Sequence, residues 1–117
     1  MMTLDDLARR AVACKRWRWL PGMLTTDGIR LVRVDPDEYS IGYSTGGYVW
    51  ALNADALPDL TDAATLGCLL ALVREAHGDV VWLHHDCCVW VVCGLPEDPG
   101  GSDTQAEALV VALESAP

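Results

Sequence analysis

Apolar residues recur at helical spacing close to the start of the chain. Thr3 and Asp6 resemble a capping box in which aspartate takes the place of glutamate. The apolar positions that follow share one face of a helix: Leu4, Leu7, Ala8, Ala11 and Val12. The pattern predicts a helix over about residues 3–16.

The pattern then changes to the alternation of polar and apolar positions that is typical of strands. Asp27-Gly28 is a hairpin-turn dipeptide, and the six residues after it alternate strictly. Short antiparallel strands are predicted over residues 17–20, 29–34, 39–43 and 48–52. In the first of them, Trp17 and Trp19 would lie on one side.

Helical spacing returns after Pro58. Thr61 or Asp62 can cap a helix that runs to about His77, where Gly78 is placed to stop it. Its wide apolar stripe predicts that this helix is the most buried one. A last amphipathic helix is predicted over 103–115, with four residues inward: Ala106, Leu109, Val110 and Leu113.

Between these two helices, residues 80–85 and 88–93 form a predicted hairpin whose strands are apolar on both faces. A three-residue turn at 85–87 would place Trp82 opposite Trp90. A sheet that is apolar on both faces needs cover on both, which helices usually provide. The sequence therefore predicts an α+β fold, a three-layer α-β-α sandwich with a mainly antiparallel sheet in the order α-β-β-β-β-α-β-β-α.

Length and composition favour one folded domain. A chain of 117 residues with 51% hydrophobic and 21% charged residues has enough apolar material for one core. We expect a single domain over 1–117, in which 1–57 supplies a helix and short strands and 58–117 a helix-hairpin-helix part. The chain contains no run of about 20 uncharged apolar residues and no apolar signal core near its start. These features predict a cytoplasmic protein without a membrane partner.

The net charge of −9 is unevenly distributed. Up to Arg33 there are seven basic residues against three acidic ones, a net charge of +4. From Val34 onward Arg74 stands alone against fourteen acidic residues, a net charge of −13. The body should repel nucleic acid, whereas the first third could attract it or attract an acidic surface.

The basic-aromatic segment Arg16, Trp17, Arg18 and Trp19 is the candidate binding site that the sequence offers. Arginine and tryptophan stack on bases and dominate protein hot spots. The alternative is that both tryptophans are core residues while the arginines face solvent or dock on the acidic body. Docking on a protein is favoured over contact with nucleic acid because the remainder is strongly acidic.

A second candidate is a cluster of possible metal ligands or reactive thiols: His84, His85, Cys87, Cys88 and Cys93. Neighbours on a strand point to opposite faces, so Cys87 and Cys88 should diverge unless the turn bends them together. No CxxC pair or cysteine-nucleophile motif occurs. The expected state is free thiols in a reducing compartment, with no cofactor and no catalytic residues.

The second half has a distinctive order of segments: Pro58-Asp59-Leu60-Thr61-Asp62 and the helix after it, the tryptophan-containing strands, and Asp103-Thr104-Gln105-Ala106 with the closing helix. This order resembles small proteins of tailed phages and prophages. These closing strands and helix are similar to the phage ABA sandwich domain over about residues 58–116. The resemblance implies a layered fold and a phage setting, and it brings no activity and no site residues.

Three functions are therefore considered. The favoured one is a small acidic, non-enzymatic phage or prophage accessory protein that binds a host or phage protein, with inhibition of a defence or gene-expression complex as one form. The alternatives are a nucleic-acid-binding module that uses residues 15–19 and a metal or thiol site over His84–Cys93. A homodimer is compatible with the sequence, which does not fix the oligomeric state.

Overall fold

A computed structural model describes residues 3–34, 40–44, 47–49, 55–79, 81–95 and 100–116. Within these ranges the fold is α+β, as predicted, with three helices and two antiparallel sheets. The elements in chain order are α1 (Leu4–Ala13), β1 (Arg30–Val34), β2 (Ser40–Ser44), β3 (Gly47–Val49), α2 (Ala63–His77), β4 (Trp82–Asp86), β5 (Val89–Cys93) and α3 (Gln105–Glu114). The sheets are β1-β2-β3 and β4-β5.

Side-chain caps begin the helices. The predicted capping box at α1 is confirmed, because Thr3 Oγ1 accepts from the Asp6 amide and Asp6 Oδ2 accepts from the Thr3 amide, both at 3.1 Å. Asp62, not Thr61, caps α2 through the Thr65 amide. Gly78 ends that helix in a conformation with φ of +112°, which L side chains rarely adopt. These caps explain why local sequence signals placed the helices correctly.

The predicted strand order is wrong at one position. Residues 17–20 form no strand, so the described elements follow the order α-β-β-β-α-β-β-α. The Trp17 amide donates to Cys14 O, and the Leu20 amide lies 3.3 Å from Met23 Sδ. Local turns and packing of the two tryptophans, not a ladder of strand hydrogen bonds, hold this segment. The predicted strand 48–52 is described only as Gly47–Val49, and its remainder lies outside the described residues.

The predicted register of the last hairpin is also wrong. Trp82 pairs with Cys93 and His85 pairs with Trp90, so the two tryptophans are not opposite each other. The turn contains two residues, Cys87 and Cys88, instead of three. Cys87 makes this tight turn possible by adopting a φ of +58°.

The core gathers around α3, which contacts α1, α2 and β5. Six of its ten residues are buried, against four of the fifteen in α2. The prediction that α2 is the most buried helix is therefore wrong, because α3 has neighbours on several sides. All four residues expected to point inward from α3 are buried. Among the described residues, no helix combines the length and apolar character that a membrane crossing requires.

Candidate binding surfaces

The two tryptophans of the basic-aromatic segment face the core. Trp17 and Trp19 are partly buried and pack against the core cluster. Their rings meet edge to face, with centroids 5.4 Å apart and planes 78° apart. Much of each ring is therefore already in contact with protein. Base stacking needs an open ring face, so this arrangement favours a structural role for the pair.

The arginines of the first third dock on the acidic body. Arg18 Nη1 lies 2.6 Å from Glu75 Oε1. The hydrogen bond from Arg18, reinforced by the positive charges of Arg18 and Arg16, lowers the pKa of Glu75. Arg10 pairs in the same way with Glu114 of α3.

A third pair joins Arg30 of β1 to Asp62 at the start of α2. Each of these ion pairs joins a cation of the first third to an acid from the remainder of the chain. Part of the uneven charge distribution is therefore neutralised within the fold, because these arginines and acids pair with one another.

Two surface clefts flank the basic end of this segment. The larger, of about 490 Å³, lies between the ends of α1 and α3 and is lined by Cys14, Lys15 and Arg16 among others. The smaller, of about 180 Å³, is lined by Lys15, Trp17 and Glu75 among others. Trp17 Nε1 is buried and has no hydrogen-bond partner within the described part of the chain. Both clefts carry cations beside an acidic side chain, so neither presents a uniformly positive surface.

The histidines and cysteines of the second candidate separate along the hairpin. His84 and His85 alternate on β4, and the His85 ring stacks on Trp90 with centroids 4.6 Å apart. Cys93 pairs with Trp82 at the far end, whereas Cys87 and Cys88 form the turn. In the described ranges, no group of three or more His, Cys, Asp and Glu side chains is placed to hold a metal ion. The hairpin brings together only the two turn cysteines, whose Sγ atoms are 3.6 Å apart.

The two faces of the β4-β5 hairpin differ in how closely other residues pack against them. The inner face carries Leu83, Trp90 and Val92, which belong to the core or pack against it. The opposite side, here called the outer hairpin face, carries Trp82, His84, Val89, Val91 and Cys93. Trp82 is 51% exposed, an unusual state for so large an apolar side chain.

The outer hairpin face is not among the sites predicted from the sequence. The available signal was that the hairpin strands are apolar on both faces. Because helices were expected to cover both faces, the exposure of Trp82 was not predicted. Here α2 contacts β4 and α3 contacts β5, while Trp82 remains open to solvent.

Comparisons with protein-family models, curated proteins and solved structures give no match to this chain.

Proposed function

We propose that this chain is a small acidic, non-enzymatic accessory protein that binds another protein through the outer hairpin face. The observation that carries the proposal is the exposure of Trp82, at 51%, on a strand pair whose other face packs on the core. Tryptophan is, with tyrosine and arginine, one of the residue types enriched in the binding hot spots at the centres of protein interfaces. A rigid strand pair presents it at little cost in side-chain entropy.

The composition of this face supports a protein partner. Cys93 pairs with Trp82, and Val91 lies two residues along β5 on the same face; both are partly buried. With Trp82 they form a small apolar patch at the end of the hairpin away from the turn, the kind of surface that associates by excluding water. A partner that covered the patch would bury the exposed part of Trp82 and stabilise the complex by the hydrophobic effect.

The charge of the chain specifies the partner further. The net charge of −9 attracts a protein with a basic surface and accelerates its encounter at low ionic strength. Since part of the positive charge of the first third is engaged in ion pairs with the body, that segment adds little attraction for an acidic partner. We therefore propose a host or phage protein with a basic surface.

The three-layer sandwich and the phage or prophage origin are parts of the same proposal. The three-layer sandwich remains a prediction: helices contact the hairpin through α2 and α3, and a partner on the outer hairpin face would supply the missing layer. The resemblance of residues 58–116 to the phage ABA sandwich domain supports a phage or prophage origin. A phage accessory protein of this kind would act in the bacterial cytoplasm, for example on a defence or gene-expression complex.

Binding of nucleic acid by residues 15–19 is the alternative. Packing of Trp17 and Trp19 on the core and pairing of Arg18 with Glu75 make the segment less available for it. Protein binding is therefore favoured over nucleic-acid binding as the function. A gel-shift series with single-stranded and duplex probes separates the two, because nucleic-acid binding would weaken steeply with salt and would not depend on Trp82.

The test is capture from bacterial lysate on three immobilised proteins: wild type, Trp82→Ser and Val32→Ser. Val32 is 55% exposed on β1 and serves as the matched control for loss of an exposed apolar strand residue. We expect basic proteins that bind the wild type and Val32→Ser, are lost on Trp82→Ser, and weaken between about 50 and 300 mM salt. Equal capture by all three proteins would contradict the proposed face.

A further inference from the structure

Two adjacent cysteines form the exposed tip of the β4-β5 hairpin. Cys87 and Cys88 are both exposed, whereas Cys14, Cys68 and Cys93 are partly buried. Burial raises the pKa of the Cys14 and Cys68 thiols, which disfavours their reactive thiolate forms. The tip therefore offers the two most accessible thiols of the chain.

The turn brings the two sulfur atoms together. Neighbouring side chains on an extended strand point in opposite directions, which would separate these thiols. Here the strand pairing closes at Asp86 and Val89, and Cys87 takes a φ of +58°. As a result the two Sγ atoms lie 3.6 Å apart. Glycine is the usual residue in such a conformation, so the cysteine is kept at a local conformational cost.

The hairpin also holds this tip in place. Immediately after the turn, Trp90 exchanges two backbone hydrogen bonds with Ser102, of 2.8 and 2.9 Å. The His85 ring stacks on the Trp90 ring across the strand pair. The turn thus projects from a fixed base, and the separation of the thiols is set in advance of any ligand.

The separation suits a ligand that bridges two thiolates. A bond of about 2.3 Å from each sulfur to one soft centre spaces the sulfurs about 3.4 Å apart at the angle of about 95° that a pyramidal centre takes and about 3.8 Å apart at a tetrahedral angle. A disulfide instead needs sulfurs about 2.05 Å apart and Cα atoms at least about 4.4 Å apart. Adjacent Cα atoms are only about 3.8 Å apart, so an internal disulfide would be strained. Chelation requires little movement of the pair.

The number of donors selects the ligand class. A structural zinc ion takes four ligands, and no third side chain joins this pair among the described residues. A trivalent organoarsenic centre needs only two thiolates. We propose that Cys87 and Cys88 form a bidentate dithiol site for trivalent arsenicals, independent of the protein-binding role of the outer hairpin face.

The reaction at this site is a condensation. With phenylarsine oxide, two S–H bonds and the arsenic–oxygen bond break, and two As–S bonds form. The two thiol protons leave with the oxygen as one water molecule. Arsenic stays trivalent and neither sulfur is oxidised, so no oxidant or reductant takes part.

The test titrates the reduced full-length chain with phenylarsine oxide and follows it by intact-protein mass spectrometry. We expect one phenylarsine per chain, protection of two thiols from maleimide, and release by excess dithiothreitol. Cys87→Ser and Cys88→Ser should each weaken binding roughly 100-fold, because the second bond is no longer intramolecular. Cys93→Ser, at the other end of β5, should bind as the wild type does.

Retention of tight binding by either turn variant, loss of binding in Cys93→Ser, or less than about half an equivalent bound by the wild type would overturn the proposal. Circular dichroism of each variant shows whether the hairpin mutants remain folded. Protein binding by the outer hairpin face is tested with a substitution at Trp82, and the arsenical site with substitutions at Cys87 and Cys88. Either proposal can therefore fail without affecting the other.

Discussion

Arg30 and Asp62 join β1 to the N-cap of α2 through a two-pronged ion pair. Arg30 Nη1 lies 2.6 Å from Asp62 Oδ2, and Nη2 lies 2.9 Å from Oδ1. The same carboxylate accepts from the amide and the hydroxyl of Thr65, and that hydroxyl accepts from the Leu24 amide at 2.9 Å. One acidic side chain therefore caps a helix and anchors the preceding strand and loop to it.

The first prediction concerns acid stability. The hydrogen bonds from Arg30, assisted by those from Thr65, lower the pKa of Asp62 from its usual 3.8 to about 2. A lowered pKa means that the folded state favours the ionised carboxylate. Its contribution is complete above about pH 4 and is lost as the pH falls through about 2.

Asp62→Asn should lower the free energy of unfolding at pH 7 by about 1–2 kcal/mol. This is less than the full shift implies, because the Arg30 side chain is 40% exposed and solvent screens the pair. Asparagine still caps a helix, so the loss reports mainly the ion pair. Urea unfolding from pH 7 to 2 measures it, with the exposed Asp103→Asn as control. A mutant that kept the wild-type pH dependence would contradict this assignment.

The second prediction concerns the close approach of residue 101 to the hairpin. A Cβ atom on Gly101 would lie 2.8 Å from Val89 Cβ, which real Cβ atoms essentially never show. Gly101→Ala should therefore destabilise the protein by about 1–3 kcal/mol. Gly67→Ala is the matched control, since its Cβ would meet nothing within 4 Å on α2, and it should stabilise by about 0.5–1 kcal/mol. Thermal unfolding of both variants decides the point, and a Gly101→Ala protein as stable as the wild type would contradict the close approach.

The third prediction concerns the backbone of the cysteine turn. Cys87 has a positive φ, which costs a non-glycine residue about 1–2 kcal/mol. The φ of Cys88 is not positive, so Cys88 carries no such cost. Cys87→Gly should leave stability unchanged or raise it by up to about 1 kcal/mol, and Cys88→Gly should lower it. Chemical unfolding of the reduced proteins measures both. Equal effects of the two substitutions would show that the turn does not hold Cys87 in this conformation.

The sequence predicted the structural features that depend on neighbouring residues and missed those that depend on tertiary contacts. Asp62, Gly78 and the Thr3 capping box are local signals, and they placed the helix ends near their positions in the structure. The alternation of Trp17 and Trp19 resembled a strand, but tertiary packing decides the role of so short a segment.

The candidate binding surfaces likewise combine features that the sequence shows with features that only the fold creates. No residue preference marks cysteine for a positive φ, so the two-residue turn and the resulting hairpin register could not be read from the chain. Ion pairs such as Arg18–Glu75 join residues far apart in sequence, and only the fold brings them together. The apolar character of both hairpin strands was visible in the sequence, whereas the exposure of Trp82 was not.

We propose that Trp82 lies at the contact with a protein partner. Site-specific incorporation of a photo-cross-linking phenylalanine analogue at position 82, followed by irradiation in bacterial lysate, tests it most directly. The same analogue at position 32, another exposed apolar strand residue, is the control. We predict a discrete cross-linked product at position 82 that is absent at position 32 and diminishes at high salt. Cross-linking that is equal at both positions, or absent at position 82, would contradict the account.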